Sequence, residues 1–379
     1  MPGKEVKTIY FVFLGTNKII CSQGTMETPT FKYKKAVKVW LIIGLIMIFF
    51  QVVIGGVTRL TGSGLSITKW DIVFGTIPPL NHAQWEEAFD LYRETPQYAK
   101  INDGMSMADF KFIYFWEYFH RLWARSMGFV FLFPFLFFWR KGWIDKMLMR
   151  RLGITVLLAV VVASFGWIMV ASGLIDRPWV NAYKLTMHLS LALILFSYLL
   201  WTTYKVIYPQ NRVINNTVLK KWSNAIVSIL AVQIMLGGVM SGMKAGLFYP
   251  SWPDMNGSFL PAVLLDSSQW TVDNFVQYDS GPFMAALIQF LHRNTAYLLT
   301  IIVLYFVFLA WNHRGTILFR NSLYLLISML VIQITLGILT VINCIGQVPV
   351  GLGVLHQAGA LLLLTIVLLV RYQMAPRAV

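Results

Sequence analysis

Eight long apolar runs restrict what this chain can fold into more than any other feature of the sequence. Each reaches the roughly 17 to 25 residues that a helix needs to cross the hydrocarbon core of a bilayer. The composition agrees, because 57% hydrophobic and 12% charged residues in a chain of 379 do not make a soluble surface. The sequence therefore predicts an all-α polytopic membrane protein. The eight runs cover about 38–58, 110–138, 153–174, 183–205, 222–243, 283–311, 322–343 and 351–371.

The basic residues indicate how the predicted helices are oriented. The formal net charge is +15, but lysine and arginine gather in short segments between the apolar runs. That distribution favours membrane orientation over nucleic-acid binding, and the positive-inside rule places both termini in the cytoplasm. The first thirty residues lack a cleavage signal, and no arginine precedes Arg59, which is a poor match to a mitochondrial transit peptide. We expect the bacterial cytoplasmic (inner) membrane rather than the mitochondrial inner membrane.

The second half of the chain repeats the plan of the first. Residues 51–57 match residues 233–239, with a glutamine first and Gly-Gly at the fifth and sixth positions. Each half also carries a His-Arg pair in its second run and a further histidine in its fourth. The sequence thus predicts two pseudosymmetric four-helix bundles of the same orientation. The matched residues are His120-Arg121 with His292-Arg293, 172 positions apart, and His188 with His356, 168 positions apart.

This repeat divides the chain into five parts. Residues 38–205 form the N-terminal half and residues 222–371 the C-terminal half, with a cytoplasmic linker at 206–221. A cytoplasmic segment, 1–37, precedes the first half, and a short cytoplasmic tail, 372–379, follows the second.

A short helix is expected in the first outward loop. Asn81 and Gln84 have the spacing of a helix N-cap, and apolar residues follow from Trp85 at i, i+3, i+4 and i+7. Such a helix would lie on the membrane surface or over the bundle. The second outward loop, 244–282, is rich in Pro, Gly, Asp and Trp and is predicted to be irregular.

Charged side chains lie inside the second apolar run. Near the centre of a membrane helix each charged group costs on the order of 2.5 to 3.5 kcal/mol, so Glu117 and Arg121 must be compensated or functional. Helical spacing places both on the same face as His120. The equivalent of Glu117 in the second half is Gln289, which is neutral. Two interpretations stay open together, an intrahelical Glu117–Arg121 ion pair and proton-coupled chemistry confined to the first half.

The four histidines of the apolar runs indicate a heme protein. They lie about ten, five, nine and five residues from the outer ends of their helices, so all four are at similar depth. Two imidazoles on neighbouring helices of an apolar bundle can ligate one heme iron, and two such pairs predict two hemes. The alternative is that each histidine only bonds a backbone carbonyl or a serine. Zinc is less favoured, because no Asp or Cys accompanies each pair.

Other residues in these runs could support a heme. Guanidinium groups can form paired hydrogen bonds with propionates. The Gly-Gly pairs could mark close approach to a flat macrocycle or ordinary helix packing, and both explanations remain open. The arginine candidates for binding propionates or positioning the heme are Arg59, Arg121, Arg125 and Arg293.

Two stretches together resemble the heme A synthase family, in the form with a long first outer loop found in Gram-negative bacteria and mitochondria. They are residues 55–66, Gly-Gly-Val-Thr-Arg-Leu-Thr-Gly-Ser-Gly-Leu-Ser, followed by Trp70 and Pro78-Pro79, and residues 117–121, Glu-Tyr-Phe-His-Arg. The similarity extends over about 38–371. It implies eight transmembrane helices and oxidation of the C8 methyl group of heme O to a formyl group, which gives heme A for terminal oxidases.

The resemblance also implies roles for individual residues. His120 and His188 would be the axial ligands of the substrate heme O, with Glu117 as the catalytic acid. His292 and His356 would ligate a heme b cofactor, with Arg293 beside it. Heme O synthase, terminal oxidase assembly factors and an electron acceptor of unknown identity are the partners that this activity suggests. Some relatives carry a cysteine pair in an outer loop, whereas residues 59–109 contain none, which argues against a mechanism that needs those thiols here.

Three other classes of protein fit the sequence less well. A diheme b-type cytochrome that only carries electrons would place its hemes at both depths of the membrane, and Glu117 would have no purpose in it. A heme-free transporter would need ionisable residues in the inner halves of the helices. A membrane prenyltransferase would need clustered aspartates for magnesium diphosphate, and no apolar run contains such a cluster.

Overall fold

A computed structural model describes residues 33–69, 77–173, 178–209, 214–313 and 315–374. The predicted N-terminal segment, linker and tail lie partly or wholly outside these ranges. Within them, eight helices of 23 to 34 residues are long and apolar enough to cross a membrane, which confirms the predicted spans. The spanning helices are α1 (Lys35–Leu60), α4 (Met107–Arg140), α5 (Lys146–Gly173), α6 (Ala182–Ile207), α7 (Thr217–Gly242), α9 (Pro282–Trp311), α10 (Ile317–Ile342) and α11 (Val350–Tyr372). The short helices are α2 (His82–Arg93), α3 (Pro96–Ile101) and α8 (Val272–Val276).

Polar residues at the helix ends fix where several spans begin. Ser106 begins α4, Asn181 begins α6, Asn216 begins α7 and Thr316 begins α10. In each case the side-chain oxygen accepts a hydrogen bond from a backbone N–H of the first turn, which has no partner inside the helix. Away from these ends the spans expose large apolar side chains, as a lipid-facing surface requires.

The two groups of four spans share one contact pattern. In the first group α1 packs on α4 and α6, and α5 packs on α6; in the second, α7 packs on α9 and α11, and α10 packs on α11. The groups meet through α1 with α11, α6 with α7, and α6 with α11. Exchanging equivalent helices of the two groups leaves these contacts unchanged, as the sequence repeat predicts; a smaller contact of α10 with α9 is the exception.

The packed core and the long loops lie at opposite ends of the bundle. Residues 61–69, 77–106 and 243–281 form what we call the long-loop face. The largest cluster of buried side chains combines the opposite ends of α6, α7, α9, α10 and α11, and a second cluster joins the start of α1 to the end of α4. The half of the bundle nearer the long-loop face therefore has room for a site.

The first long loop folds over the N-terminal end of α4. Asn81 caps α2 by accepting a hydrogen bond from the Gln84 N–H at 3.0 Å, which confirms the predicted short helix. On its apolar face Phe89 stacks on Phe110 of α4, with ring centroids 4.7 Å apart. The second long loop is mostly irregular, as predicted, but it also contains three single 3-10 turns and α8.

Candidate functional site

A cavity of about 1450 Å³ lies between the spanning helices and reaches residues of the long-loop face. Its walls are mostly apolar, and all eight spanning helices contribute to them. Typical ligand pockets measure roughly 300 to 1,000 Å³, so this cavity has room for more than one large ligand. The predicted site residues on its walls are Arg59, Glu117, His120, Arg121, Arg125, His188, His292, Arg293 and His356.

The histidines of the second group face each other across the cavity. The ring centroids of His292 and His356 are 6.4 Å apart, and the ring planes are inclined by 76°. Two bonds of about 2 Å from imidazole nitrogens to a metal, together with the half-widths of the two rings, add up to roughly 6 Å. The spacing is therefore that of two imidazoles on opposite sides of one metal ion.

The histidines of the first group also lie near each other. His120 lies close enough to His188 to interact with it electrostatically, as His292 does with His356. All four lie in the half of their helices nearer the long-loop face. The structure thus brings the four imidazoles together two by two, in the pairs that the sequence predicts.

Each imidazole also packs against a glycine of a neighbouring helix. A side chain in place of the glycine would meet the ring at a distance shorter than ordinary van der Waals contact. From a Cβ added at the glycine to Cε1 of the histidine, the distances are 3.1 Å for Gly55 with His120, 3.0 Å for Gly166 with His188, 3.2 Å for Gly237 with His292 and 2.9 Å for Gly337 with His356.

The Gly-Gly pairs serve two purposes. The first glycine of each pair faces a histidine, whereas the second faces a helix of the other group. A Cβ at Gly56 would lie 2.7 Å from Oε1 of Gln357 on α11, and one at Gly238 would lie 3.2 Å from Oγ1 of Thr186 on α6. The first glycine of each pair therefore makes room for an imidazole ring, and the second allows two helices to pack closely.

Three glutamines lie beside the histidines, each four residues before the glycine of the same helix. They were not among the predicted site residues, although the spacing Gln-x-x-x-Gly occurs three times inside the spanning helices, the third time in α10 outside the aligned repeat. In α5 the same position is Val162. From the amide nitrogen to the nearest imidazole nitrogen, the distances are 3.1 Å for Gln51 with His120, 3.2 Å for Gln233 with His292 and 3.1 Å for Gln333 with His356.

Glu117 is buried, with 3% of its surface exposed, and it binds two elements at once. One carboxylate oxygen accepts a hydrogen bond from Arg121 at 2.5 Å, so the intrahelical ion pair is present. The other accepts from the Ser66 N–H at 2.7 Å, the Ser66 hydroxyl at 2.8 Å and the Ile67 N–H at 2.9 Å. Four donors around one carboxyl group are the environment of an ionised carboxylate, which can only accept.

The equivalent residue of the second group has a related structural role. Gln289 donates a hydrogen bond from its amide to the Tyr249 carbonyl at 2.8 Å. In both groups, therefore, the residue three positions before the histidine holds the segment that follows α1 or α7. Only the first group does so with a carboxylate.

Two of the candidate arginines, Arg59 and Arg293, bind backbone carbonyls at the edge of the cavity. Arg59 donates to the Ser241 and Gly242 carbonyls at the end of α7, at 3.1 and 2.8 Å, where the helix dipole favours a cation. Arg293 donates to carbonyls of the second long loop. Its three acceptors are Tyr249 at 3.2 Å, Ser251 at 2.7 Å and Asp254 at 2.5 Å.

Lys244 adds a positive charge to the edge of the cavity, and it was not among the predicted site residues. It follows α7, lines the cavity and lies near Arg59. Partial burial lowers the pKa of the Lys244 ammonium group, and the Arg59 charge lowers it further. Cations gathered at the polar edge of an apolar cavity would favour an anionic group there.

These features together fit a heme. Paired imidazoles at metal spacing supply axial ligands, the apolar walls suit a porphyrin, and the basic edge suits propionates. The walls offer this combination once in each group of four helices.

Comparison with known proteins agrees with this assignment. The model of the COX15-CtaA family, described as cytochrome oxidase assembly protein, matches residues 38–368. A heme A synthase of Flavobacterium psychrophilum is 38% identical over 337 residues, which are 88% of this chain and 96% of the relative. Heme A synthases of Nitrosospira multiformis and Bradyrhizobium diazoefficiens are also 38% identical, over 91% and 93% of this chain and 95% of each relative. The chain belongs to the heme A synthase family.

Proposed function

We propose that this protein is a heme A synthase, a membrane oxidoreductase that converts the C8 methyl group of heme O to a formyl group. The observation that carries the proposal is an asymmetry within one cavity. Two histidine pairs line it, but only His120 has a carboxylate, Glu117, three residues away on the same helix. One pair is thus equipped for proton transfer and the other is not.

The two pairs take different roles in this proposal. His120 and His188 bind the iron of the substrate heme O, and His292 and His356 bind a resident heme b. A bound heme b supplies one-electron transfer. Arg293 orders the loop above the second pair through three backbone carbonyls, and its charge favours propionates at that edge.

Glu117 is the proton acceptor in this proposal. With water as the source of the formyl oxygen, conversion of a methyl to a formyl group releases four electrons and four protons, and the protons need an acceptor. The carboxylate is fixed by Arg121 and by the Ser66 and Ile67 N–H groups, so it does not need to reorganise before it accepts a proton.

The bacterial relatives favour the bacterial inner membrane as the location. Heme O has to be delivered and heme A passed on, which makes heme O synthase and terminal oxidase assembly factors the expected partners. The electrons need an acceptor in the same membrane.

Coexpression with an enzyme that produces heme O tests the function directly. Porphyrins are extracted from the membranes and identified by mass, with His120→Ala as the matched inactive variant. We expect heme A with the wild-type chain and only heme O with the variant. A protein that binds heme but yields no heme A would instead be an electron-transfer cytochrome.

A further inference from the structure

The cavity is deeper in the first group of four helices than in the second. We call the ends of the spans opposite the long-loop face their inner ends. We propose that the extra depth is a groove that binds the isoprenoid tail of heme O, between the His120–His188 pair and the inner ends of the first group. Heme O differs from heme b by this hydroxyethylfarnesyl chain. The inference rests on the proposed function, since it takes heme O as the ligand of the first pair.

The cavity walls show the difference in depth. Counted toward the inner ends from each histidine, or from the glycine packed against it, the walls reach 15 residues along α4, to Phe135, and 17 along α5, to Met149. On the equivalent helices of the second group they reach only 8 residues along α9, to Thr300, and 7 along α10, to Leu330. The walls of α1 and α6 likewise extend further than those of α7 and α11.

The extra depth has the length of the tail. At a rise of 1.5 Å per residue, the walls extend roughly 22 to 26 Å in the first group and roughly 10 to 12 Å in the second. A farnesyl chain has about twelve carbon atoms in line, and three bonds of an extended chain span about 3.4 Å, so the tail is on the order of 12 Å long. The second group therefore has room for a macrocycle, and the first has room for a macrocycle with its tail.

The sequence explains why only the first group is hollow at this depth. We align α1 with α7 on the glutamines of the repeat, and α5 with α10 on the glycines that pack against histidines. Small residues of the first group then correspond to large apolar residues of the second, which are buried in the largest core cluster with at most 4% exposed. The equivalent positions are Gly44 with Ile226, Thr155 with Leu326 and Ala159 with Leu330.

The groove ends at packed side chains. At its inner end it reaches the second cluster of buried residues, to which Trp40 and Leu152 belong. The Trp40 ring centroid lies 5.3 Å from that of Phe131, another wall residue. The far end of the tail would therefore contact an indole and a phenyl ring.

One side of the groove opens between α4 and α5. In the second group α10 packs on α9, whereas α5 makes no comparable contact with α4 along the described length of the two helices. The wall residues Leu132 of α4 and Val160 of α5 are 46% and 57% exposed. At membrane depth such an apolar opening faces lipid, so the tail can enter sideways from the bilayer.

The position of the groove agrees with the chemistry of heme O. The tail and the propionates are attached to opposite sides of the macrocycle. A ring whose propionates lie at the basic edge, near Arg59 and Lys244, therefore directs its tail toward the inner ends. A tail held in the groove also stops the ring from rotating about the line between the two histidines. Among the several methyl groups of the ring, one is then fixed relative to Glu117.

A separate lipid chain is the competing occupant of the groove. The groove and the histidines belong to one cavity, so a tail attached to a bound porphyrin meets the groove at a high effective concentration. A lipid molecule has no such second attachment. We therefore expect the tail to displace lipid when heme O binds.

Filling the groove should affect heme O and spare heme b. Ala159→Leu and Gly153→Leu each enlarge a wall residue, and a Cβ at Gly153 meets nothing within 4 Å, so that variant should fold. Purified protein with heme b in its second pair is titrated with heme O or with more heme b, and binding to the first pair is followed by absorbance. We expect heme O binding to weaken by roughly 5- to 150-fold and heme b binding to stay unchanged.

Ser164→Leu is the matched control on α5. Ser164 is exposed and does not line the cavity, so this variant should bind both hemes as the wild type does. If the groove variants bind heme O normally, or lose heme O and heme b alike, the inference is wrong, and heme A formation on coexpression would still support the proposed function. If the wild-type protein binds no heme, the proposed function fails and the inference fails with it.

Photochemical crosslinking identifies the occupant directly. Phe131 is replaced by the photoreactive amino acid p-benzoylphenylalanine, the protein is irradiated in lipid nanodiscs with heme O or heme b, and adducts are identified by mass. We expect a covalent adduct with heme O and none with heme b. The same replacement of Phe129, which is 57% exposed and does not line the cavity, should give lipid adducts only. Lipid adducts alone at position 131 in the presence of bound heme O would assign the groove to lipid and overturn the inference.

Discussion

Glu117 joins the loop after α1 to the histidine helix, so its substitution has a structural and a chemical effect. The structural effect is the loss of acceptors for the Ser66 and Ile67 N–H groups. A buried donor without a partner costs about 1 to 3 kcal/mol. The chemical effect is the loss of a site for protons.

Glu117→Gln and Ser66→Ala separate these two effects. Glutamine keeps the shape of the side chain but cannot hold a proton, so we expect heme to bind and heme A formation to be lost. Ser66→Ala removes one of the four donors to Glu117 and leaves the carboxylate, so heme A formation should persist at a reduced rate. Heme extraction after coexpression measures both. Wild-type yield from Glu117→Gln would remove Glu117 from proton transfer.

Gly337→Ala tests the contact between a glycine and an imidazole. The added methyl group would lie 2.9 Å from Cε1 of His356, and overpacking of this kind costs about 1 to 3 kcal/mol. We therefore expect less heme per protein, measured by the Soret absorbance of purified material. Gly351→Ala on α11 is the control, because a Cβ there meets nothing within 4 Å. Equal heme content in the two variants would contradict the conclusion that Gly337 makes room for the His356 imidazole.

The histidines could be predicted from sequence alone, but the glycines that pack against them could not. A polar residue in an apolar run is conspicuous, and the repeat sorts His120, His188, His292 and His356 into equivalent positions. A glycine in an apolar run has many uses, so Gly166 gave no signal before its contact with His188 was known.

Among the elements, α2 packs on α4 through aromatic side chains, of which Phe89 stacks on Phe110. Phe89 is 1% exposed and stacks on Phe110, so truncation of its ring should destabilise the cap that α2 forms over α4. Phe→Ala changes in cores cost about 3 to 5 kcal/mol. We expect faster proteolysis within residues 77–106 of Phe89→Ala. Leu80→Ala in the same loop, where the side chain is 74% exposed, should be cut at the wild-type rate.

The elements were easier to place than the loops. The eight spans follow from hydrophobicity and length, and α2 follows from its cap and its apolar periodicity. The hydrogen bonds of Glu117 to Ser66 and of Gln289 to Tyr249 join positions 51 and 40 residues apart, and no local pattern encodes such pairings. For the same reason the sequence did not distinguish an arginine that binds propionates from Arg59, which binds the end of α7.

At the scale of the whole molecule, the charge distribution predicts the orientation in the membrane. Lysine and arginine concentrate at the ends of the spans opposite the long-loop face, so that face should lie outside the cytoplasm. Alkaline phosphatase, which is active only after export, should be active when fused after Asn102 and inactive when fused after Val379. The reverse pattern would invert the predicted topology.

The contact between α1 and α11 has a consequence for how the protein is made. The Gln357 amide donates to the Val52 carbonyl at 2.7 Å across 305 positions of the chain, and Gly56 keeps the two helices close. During translation α1 enters the bilayer long before α11 leaves the ribosome. The final span completes the wall of the cavity. The cavity of newly synthesised protein therefore lacks the wall between α1 and α11 until the last helix has been inserted.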